Sequence, residues 1–281
     1  MIQIAGVPFQ QSDMWPVEST GKMIVQLMNE SPLLYAYQSV NELSFELVLR
    51  ESIMTSAQLM NQGDAEFATF ETSRCNPQYW QLTMFGGFQL KPNVRPADAI
   101  NDIFLNSSLY AFECAGAMLI TYYHAVLQNI GESSFNQLFS NLFIYSWHSD
   151  PDLGIHLSFS NNFLPGDVIY FKNPDFDPQA SQWRGENAVV LGNGLYFGHG
   201  LGILTSEGII ESLNSVRKPG ATRSAYLTDT IARPSFKRLQ RVSMQRDYVL
   251  NKIQFVIITH NESSISYDRY KRFLDQIYRG V

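Results

Sequence analysis

A thiol, two acids and an imidazole stand out in this chain for the chemistry their surroundings would permit. Cys114 directly follows Glu113 at the head of the run LYAFECAGAMLITYYHAVL, residues 109–127. A cysteine in the first turn of a helix feels the positive end of the aligned peptide dipoles, which favours thiolate over thiol. Downstream, Glu186 lies in RGENAVVLG and His199 in YFGHGLGIL, on the two predicted arms of one hairpin joined by Gly192-Asn193-Gly194. Neighbouring strands lie about 4.8 Å apart, so groups facing the same way on two arms can meet in one site. Gly198 and Gly200 flank the imidazole and would let backbone or substrate come close. A thiol with an acid and an imidazole in reach is equipment for covalent acyl transfer. The plainer readings are a buried structural cysteine, a core or edge histidine and a solvated glutamate at a strand start.

The elements that must position these groups follow from periodicity. Met23, Ile24, Leu27 and Met28 recur at helical spacing within residues 15–29, and Glu30-Ser31-Pro32 ends the pattern. An amphipathic helix is predicted over residues 40–62, with Leu43, Leu47, Ile53 and Ala57 among its apolar positions and Gly63 as its stop. Pro96 suits a first helical turn and opens a helix through Leu105. The cysteine helix is expected to be buried on most of its surface, and a further helix is read over residues 132–143. The pattern then changes to period 2. Strands are read at residues 168–171, 186–191 and 195–203, with a short helix at 206–213. In the last part, a strand at 255–259 and a helix at 267–278 are expected. A helical first half followed by an antiparallel sheet indicates an α+β fold in a single domain, residues 1–281, with residues 233–281 as a C-terminal extension.

Composition excludes several classes. With 281 residues, 45% hydrophobic and 16% charged, the chain can bury a sizeable core. A formal net charge of −6 argues against nucleic acid or an anionic membrane as partner. The N-terminus lacks the basic and apolar regions of a signal peptide, and Tyr122, Tyr123 and His124 interrupt the longest apolar run. A soluble protein made in the cytoplasm is therefore expected. Cys75 and Cys114 are too few for a disulfide framework, and Cys75 reads as a structural thiol. No C-x-x-C or H-x-x-x-H spacing suggests a metal site, and no cofactor is expected. His124, His148, His156 and His260 read as surface or core residues.

The order Cys then His, with the cysteine at a helix start, is the order papain-like hydrolases and acyltransferases use. Six strings make the likeness specific: FATF (67–70), YAFECA (110–115), YFKNP-x-FDPQ (170–179), QWRGEN (182–187), GHGLGIL (198–204) and SAYL (224–227). In order and spacing they resemble the bacillar spore-coat protein-glutamine γ-glutamyltransferases, from near the N-terminus to about residue 232. The resemblance implies an α+β core of NlpC/P60 type and a calcium-independent transglutaminase that crosslinks glutamine to lysine through a Cys thioester. It puts the nucleophile on Cys114, the facing acid on Glu186 and the histidine on His199, with Glu113 as an auxiliary acid that could equally point away. It further implies that Phe67, Phe112, Trp147, Tyr170 and Trp183 line a narrow passage, Trp183 foremost. Implied partners are proteins with exposed Gln and Lys, and the implied location is the spore coat. A Glu186 carboxylate beside a thiol would raise the thiol's pKa, so Glu186 is read as a working base and not as a source of standing thiolate. Two other readings share these residues. One is a Cys-dependent amidase or peptidase using water as acceptor. The other is a non-catalytic coat scaffold with an inert Cys114.

Overall fold

The computed structural model describes residues 1–9, 19–244 and 257–279. Among these residues the α-helices are α1 (Thr20–Glu30), α2 (Val40–Gln62), α3 (Pro96–Leu105), α4 (Cys114–Leu138), α5 (Ser206–Ser215), α6 (Phe236–Met244) and α7 (Tyr267–Arg279). Serine caps start the first two: Ser19 accepts from the Lys22 N–H and Ser39 from the Glu42 N–H. Pro96 occupies the first turn of α3, where its missing N–H costs nothing. Gly131, at φ 78° and ψ 160°, breaks α4, so the helix read from residue 132 is its short second limb and ends at Leu138.

The principal sheet is six-stranded: β1 (His156–Phe159), β2 (Val168–Lys172), β3 (Gly185–Gly192), β4 (Leu195–Gly198), β5 (Gly202–Thr205) and β6 (Tyr226–Arg233). Its order is β5-β4-β3-β2-β6-β1, and every pairing is antiparallel. The Gly192-Asn193-Gly194 turn is as read, all three residues taking positive φ. The arm after it differs from the expectation. It stops at Gly198, and the chain reverses through Gly200 and Gly202, at φ 96° and 83°, into β5. His199 therefore sits in a tight turn and not on a strand. The glycines that suggested close approach are what allow the reversal.

From Cys114 to Leu127, α4 is buried at every position. One side meets α2 and α3 through Ile53, Ala57 and Ile100; the other meets the sheet through Val168, Val189 and Phe197. The polar residues that interrupt its apolar run are all satisfied. The Tyr122 hydroxyl donates to the Ala232 carbonyl, the Tyr123 hydroxyl accepts from the Asp150 N–H, and His124 Nδ1 lies 2.8 Å from Ser56 Oγ. Residues 257–259 form no strand, and 255–256 lie outside the described residues.

A buried ion cluster fixes α2 against the sheet. Arg50 is fully buried and pairs at 2.9 Å with both Glu46 and Asp167, while Asp167 also pairs with Arg233 at 2.7 Å. Removing the central cation would leave Glu46 buried without a counter-charge and Asp167 with Arg233 alone. Arg50→Met is expected to cost about 3–5 kcal/mol of stability, read as a lowered midpoint in urea unfolding.

Candidate active site

Cys114 is the first residue of α4, and Glu113 is the cap. The Glu113 carboxylate accepts from the Ala115 N–H at 2.7 Å and the Gly116 N–H at 2.5 Å. The missing side chain at Gly116 gives that carboxylate room, since a Cβ there would lie 3.2 Å from Glu113 Oε1. The positive end of the helix is thereby spent on a neighbouring acid. Glu113 does not point away; it is turned back onto the helix start.

The expected thiolate is not what this arrangement favours. The thiol of Cys114 is pushed well above its ordinary value, first by complete burial, then by the nearby charges of Glu186 and Glu113. Glu186 is fully buried, and no side chain hydrogen-bonds its carboxylate oxygens. Its pKa is also well above the carboxylate range, by burial and then by Glu113, with the His199 backbone N–H pulling the other way. Burial raises Glu113 to about 7 against the pull of its backbone bonds. These three groups share a space that disfavours charge on any of them.

His199 lies beside them as a neutral ring. Burial draws its pKa down to about 4, and its Nε2 donates to the Glu66 carbonyl at 3.2 Å. The ring stacks on Phe112 with centroids 4.6 Å apart. A standing imidazolium to stabilise a thiolate is therefore absent. Phe67 stacks on Trp183 at 5.6 Å and lies 6.1 Å from His199, which gathers Phe67, Phe112 and Trp183 on one side of the site. Trp147 and Tyr170 are buried elsewhere around it, bound to the backbone of residues 264–265.

The residue that reaches the sulfur is one that sequence reasoning missed. Asn187 Nδ2 donates to Cys114 Sγ at 3.2 Å. It pairs across the sheet with Tyr170 and shares the face of Val189 and Leu191, which packs on α4. Glu186 begins on the opposite face, with Ala188 and Val190, and its stem lies over Gly198, where a Cβ would come within 2.9 Å of its Cγ. Strand alternation from Val189 would have selected Asn187. Also unread in the sequence was Ser264, whose buried hydroxyl faces the thiol and, as a hydrogen-bonding group, draws its pKa down. Cys75 is half-buried and free, with its thiol raised to about 11 by burial. Among the described residues, no group of three or more His, Cys, Asp or Glu could hold a metal ion. Among them, too, no helix is long and apolar enough to cross a membrane.

A cysteine heading a buried helix, packed on an antiparallel sheet, defines the class: an α+β enzyme fold with a cysteine-centred site of papain type. The profile of the protein-glutamine gamma-glutamyltransferase family matches residues 1–243. A protein-glutamine gamma-glutamyltransferase of Halalkalibacterium halodurans is 46% identical over 275 residues, 98% of this chain and 97% of that protein. One from Bacillus mycoides is 46% identical over 226 residues, covering 80% and 82%. A solved structure described as transglutaminase from Geobacillus stearothermophilus, without C-terminal extension, superposes with a TM-score of 0.70 at 51% identity, over 73% of this chain and 98% of that one. This chain belongs to the protein-glutamine gamma-glutamyltransferase family, and is an enzyme of the transferase class.

The raised Glu113 gives a pH dependence of defined sign. Between about 4.5, its ordinary value, and about 7 the folded chain holds a proton that the unfolded chain has released. Stability at this group thus falls as pH rises through that window, by up to about 3 kcal/mol. Denaturant unfolding at several pH values should show Glu113→Gln with a shallower loss of stability from pH 5 to 7.5 than the parent, since the group that releases the proton is gone.

Proposed function

We propose that this chain is a calcium-independent transglutaminase that joins glutamine and lysine side chains of spore-coat proteins through a thioester on Cys114. The carrying observation is the sulfur itself, at the head of a capped, buried helix and sharing its desolvated space with Glu186. In the first half-reaction Cys114 Sγ attacks the glutamine carboxamide carbon. The S–C bond forms, the C–N bond breaks, and the thiol proton leaves with the amide nitrogen as ammonia. In the second, a neutral lysine amine attacks the thioester carbon, the C–N bond forms, the C–S bond breaks, and the proton lost by the amine returns to the sulfur.

Glu186 is the proton carrier in this reading. With a thiol held protonated by burial, attack needs a base that takes the proton as the S–C bond forms. No side chain ties down the Glu186 carboxylate, which the His199 backbone N–H alone engages, and this suits such transfer. His199, neutral and tied to the Glu66 carbonyl, orients the turn beside it. Glu113 holds the helix start and adds negative charge, an auxiliary part. Phe67, Phe112, Trp147, Tyr170 and Trp183 keep water from the thioester, which an amine acceptor requires. The chain is read as one catalytic unit bearing a C-terminal extension. The spore-coat setting rests on the family resemblance and on relatives from Bacillus.

The test is incubation of the full chain with a glutamine peptide and a small primary amine. An amine-substituted product is expected; free glutamate alone would make water the acceptor, and no turnover would leave a scaffold. Cys114→Ala should abolish the reaction, and Glu186→Gln should lower kcat at least about a hundredfold, the scale of a lost general base. Full activity in Glu186→Gln with none in His199→Ala would reverse the two roles. Chelators should leave the rate unchanged. The rate should rise with pH above neutrality, because Glu186 must lose its proton through a raised pKa and the lysine amine through about 10.4.

A further inference from the structure

The family profile ends at residue 243, and the Geobacillus neighbour is described as being without its C-terminal extension. In this chain the stretch 261–266 is pressed onto the head of α4. Ser263, Ser264 and Ile265 are buried there. Core side chains hold their backbone. Trp147 Nε1 donates to the Ile265 carbonyl at 3.0 Å, Asn187 Nδ2 to the same oxygen at 2.9 Å, and the Tyr170 hydroxyl to the Ser264 carbonyl at 3.0 Å. Glu262 pairs at 2.6 Å with both Arg184 and Arg269, and the Tyr267 ring meets Trp147 edge-on at 5.3 Å. Ser264 takes a φ of 57°, uncommon for a residue with a side chain and kept only where its surroundings over-determine it.

The partners of the Ile265 oxygen say what this segment stands in for. Asn187 Nδ2 is 2.9 Å from that oxygen and 3.2 Å from Cys114 Sγ, so a carbonyl is seated one nitrogen away from the sulfur. A carbonyl oxygen held by two N–H donors beside a thiol has the surroundings of an acyl group awaiting attack. Donors at that oxygen stabilise the charge it gains in the tetrahedral state. The N–H groups of Ala115 and Gly116, at the helix start, are taken by Glu113. We propose that the Ile265 carbonyl occupies the place of the substrate glutamine's carboxamide oxygen, that Asn187 and Trp147 are the donors that hold that oxygen during transfer, and that residues 261–266 withdraw before an acyl donor enters. A groove of about 840 Å³, bordered by Tyr170, Arg184, Glu262 and Arg269, opens beside the segment and gives the donor its approach.

The inference rests on the transglutaminase reading above, and the experiment separates the two. Ser264→Pro in the full chain cannot keep a positive φ and should dislodge the segment; it also removes a hydroxyl that lowers the Cys114 pKa, a loss that by itself would slow alkylation of the sulfur. Glu262→Ala, which removes two ion pairs, should act in the same direction more weakly. Alkylation of Cys114 by iodoacetamide reads access to the sulfur independently of turnover. Ser264→Pro should raise that rate at least tenfold and raise amine incorporation into a glutamine peptide with it. Unchanged alkylation in both variants would overturn the proposal. Faster alkylation with no product from amine or water would support the seat of the segment and sink the transferase reading. In the Ser264→Pro background, Trp147→Phe and Asn187→Ala should each lower kcat at least about tenfold while KM moves less than threefold. Unchanged kcat in both would overturn the assignment of the donors.

Discussion

Desolvation of three acidic groups in one small space is the constraint on which the rest of the site depends. For Cys114, Glu186 and Glu113 alike, burial is the largest cause of the raised pKa, and in each case it opposes charge. Their mutual repulsion adds to it, so the resting site keeps its protons. A helix N-terminus would ordinarily relieve such a thiol by favouring the anion. Here Glu113 takes that benefit for itself by accepting from the Ala115 and Gly116 N–H groups. The cysteine is thus positioned by a helix start without being ionised by it, and the proposed attack from it would have to move a proton as the S–C bond forms.

The scaffold supplies this arrangement through two rigid bodies that meet at the site. One is α4, buried from Cys114 to Leu127 and unable to shift its head without disturbing α2, α3 and the sheet. The other is the ribbon of β3 and β4, where Asn187 faces α4 because Val189 and Leu191 do. The turn after β4 then carries His199 against Phe112. The buried Arg50 cluster ties α2 to Asp167 at the head of β2, so the two bodies are joined by charge as well as by apolar contact.

Much of this was legible in the residues. The periodicity and caps of α2 and α3 are local features, as is the glycine turn between β3 and β4, and each was read within a residue or two. Cys114 at the head of a buried helix followed from the apolar run after it. What was not legible depends on contacts between distant segments. The β1 and β6 strands and α6 carry weaker local patterns and gain their form from neighbours in the sheet and in the α2 and α4 core. The opposing pull of Glu186 on the thiol was legible beside the helix dipole; what was not legible is that burial outweighs both and that Glu113 adds a second carboxylate. The partnership of Asn187 with the sulfur, and of Ile265 with Asn187, joins residues 73 and 78 positions apart, which no local pattern records.

The same burial bears on why a site of this kind would favour an amine over water. A thioester is open to attack by any nucleophile that reaches it, and water is always the more abundant one. Selectivity must then come from access. Phe67 and Trp183 stacked on one side, and Trp147 and Tyr170 on another, make surfaces that an extended alkyl chain can displace water from but that offer water few partners. A lysine side chain delivers its amine at the end of such a chain and leaves the rest of its length as an apolar stopper. The cost of such a design is that a fully dry site also keeps a carboxylate protonated, as burial does to Glu186, the proposed base. On the proposed mechanism, acyl transfer requires that the site be wet enough, for a time, to release a proton and dry enough afterwards to keep the thioester.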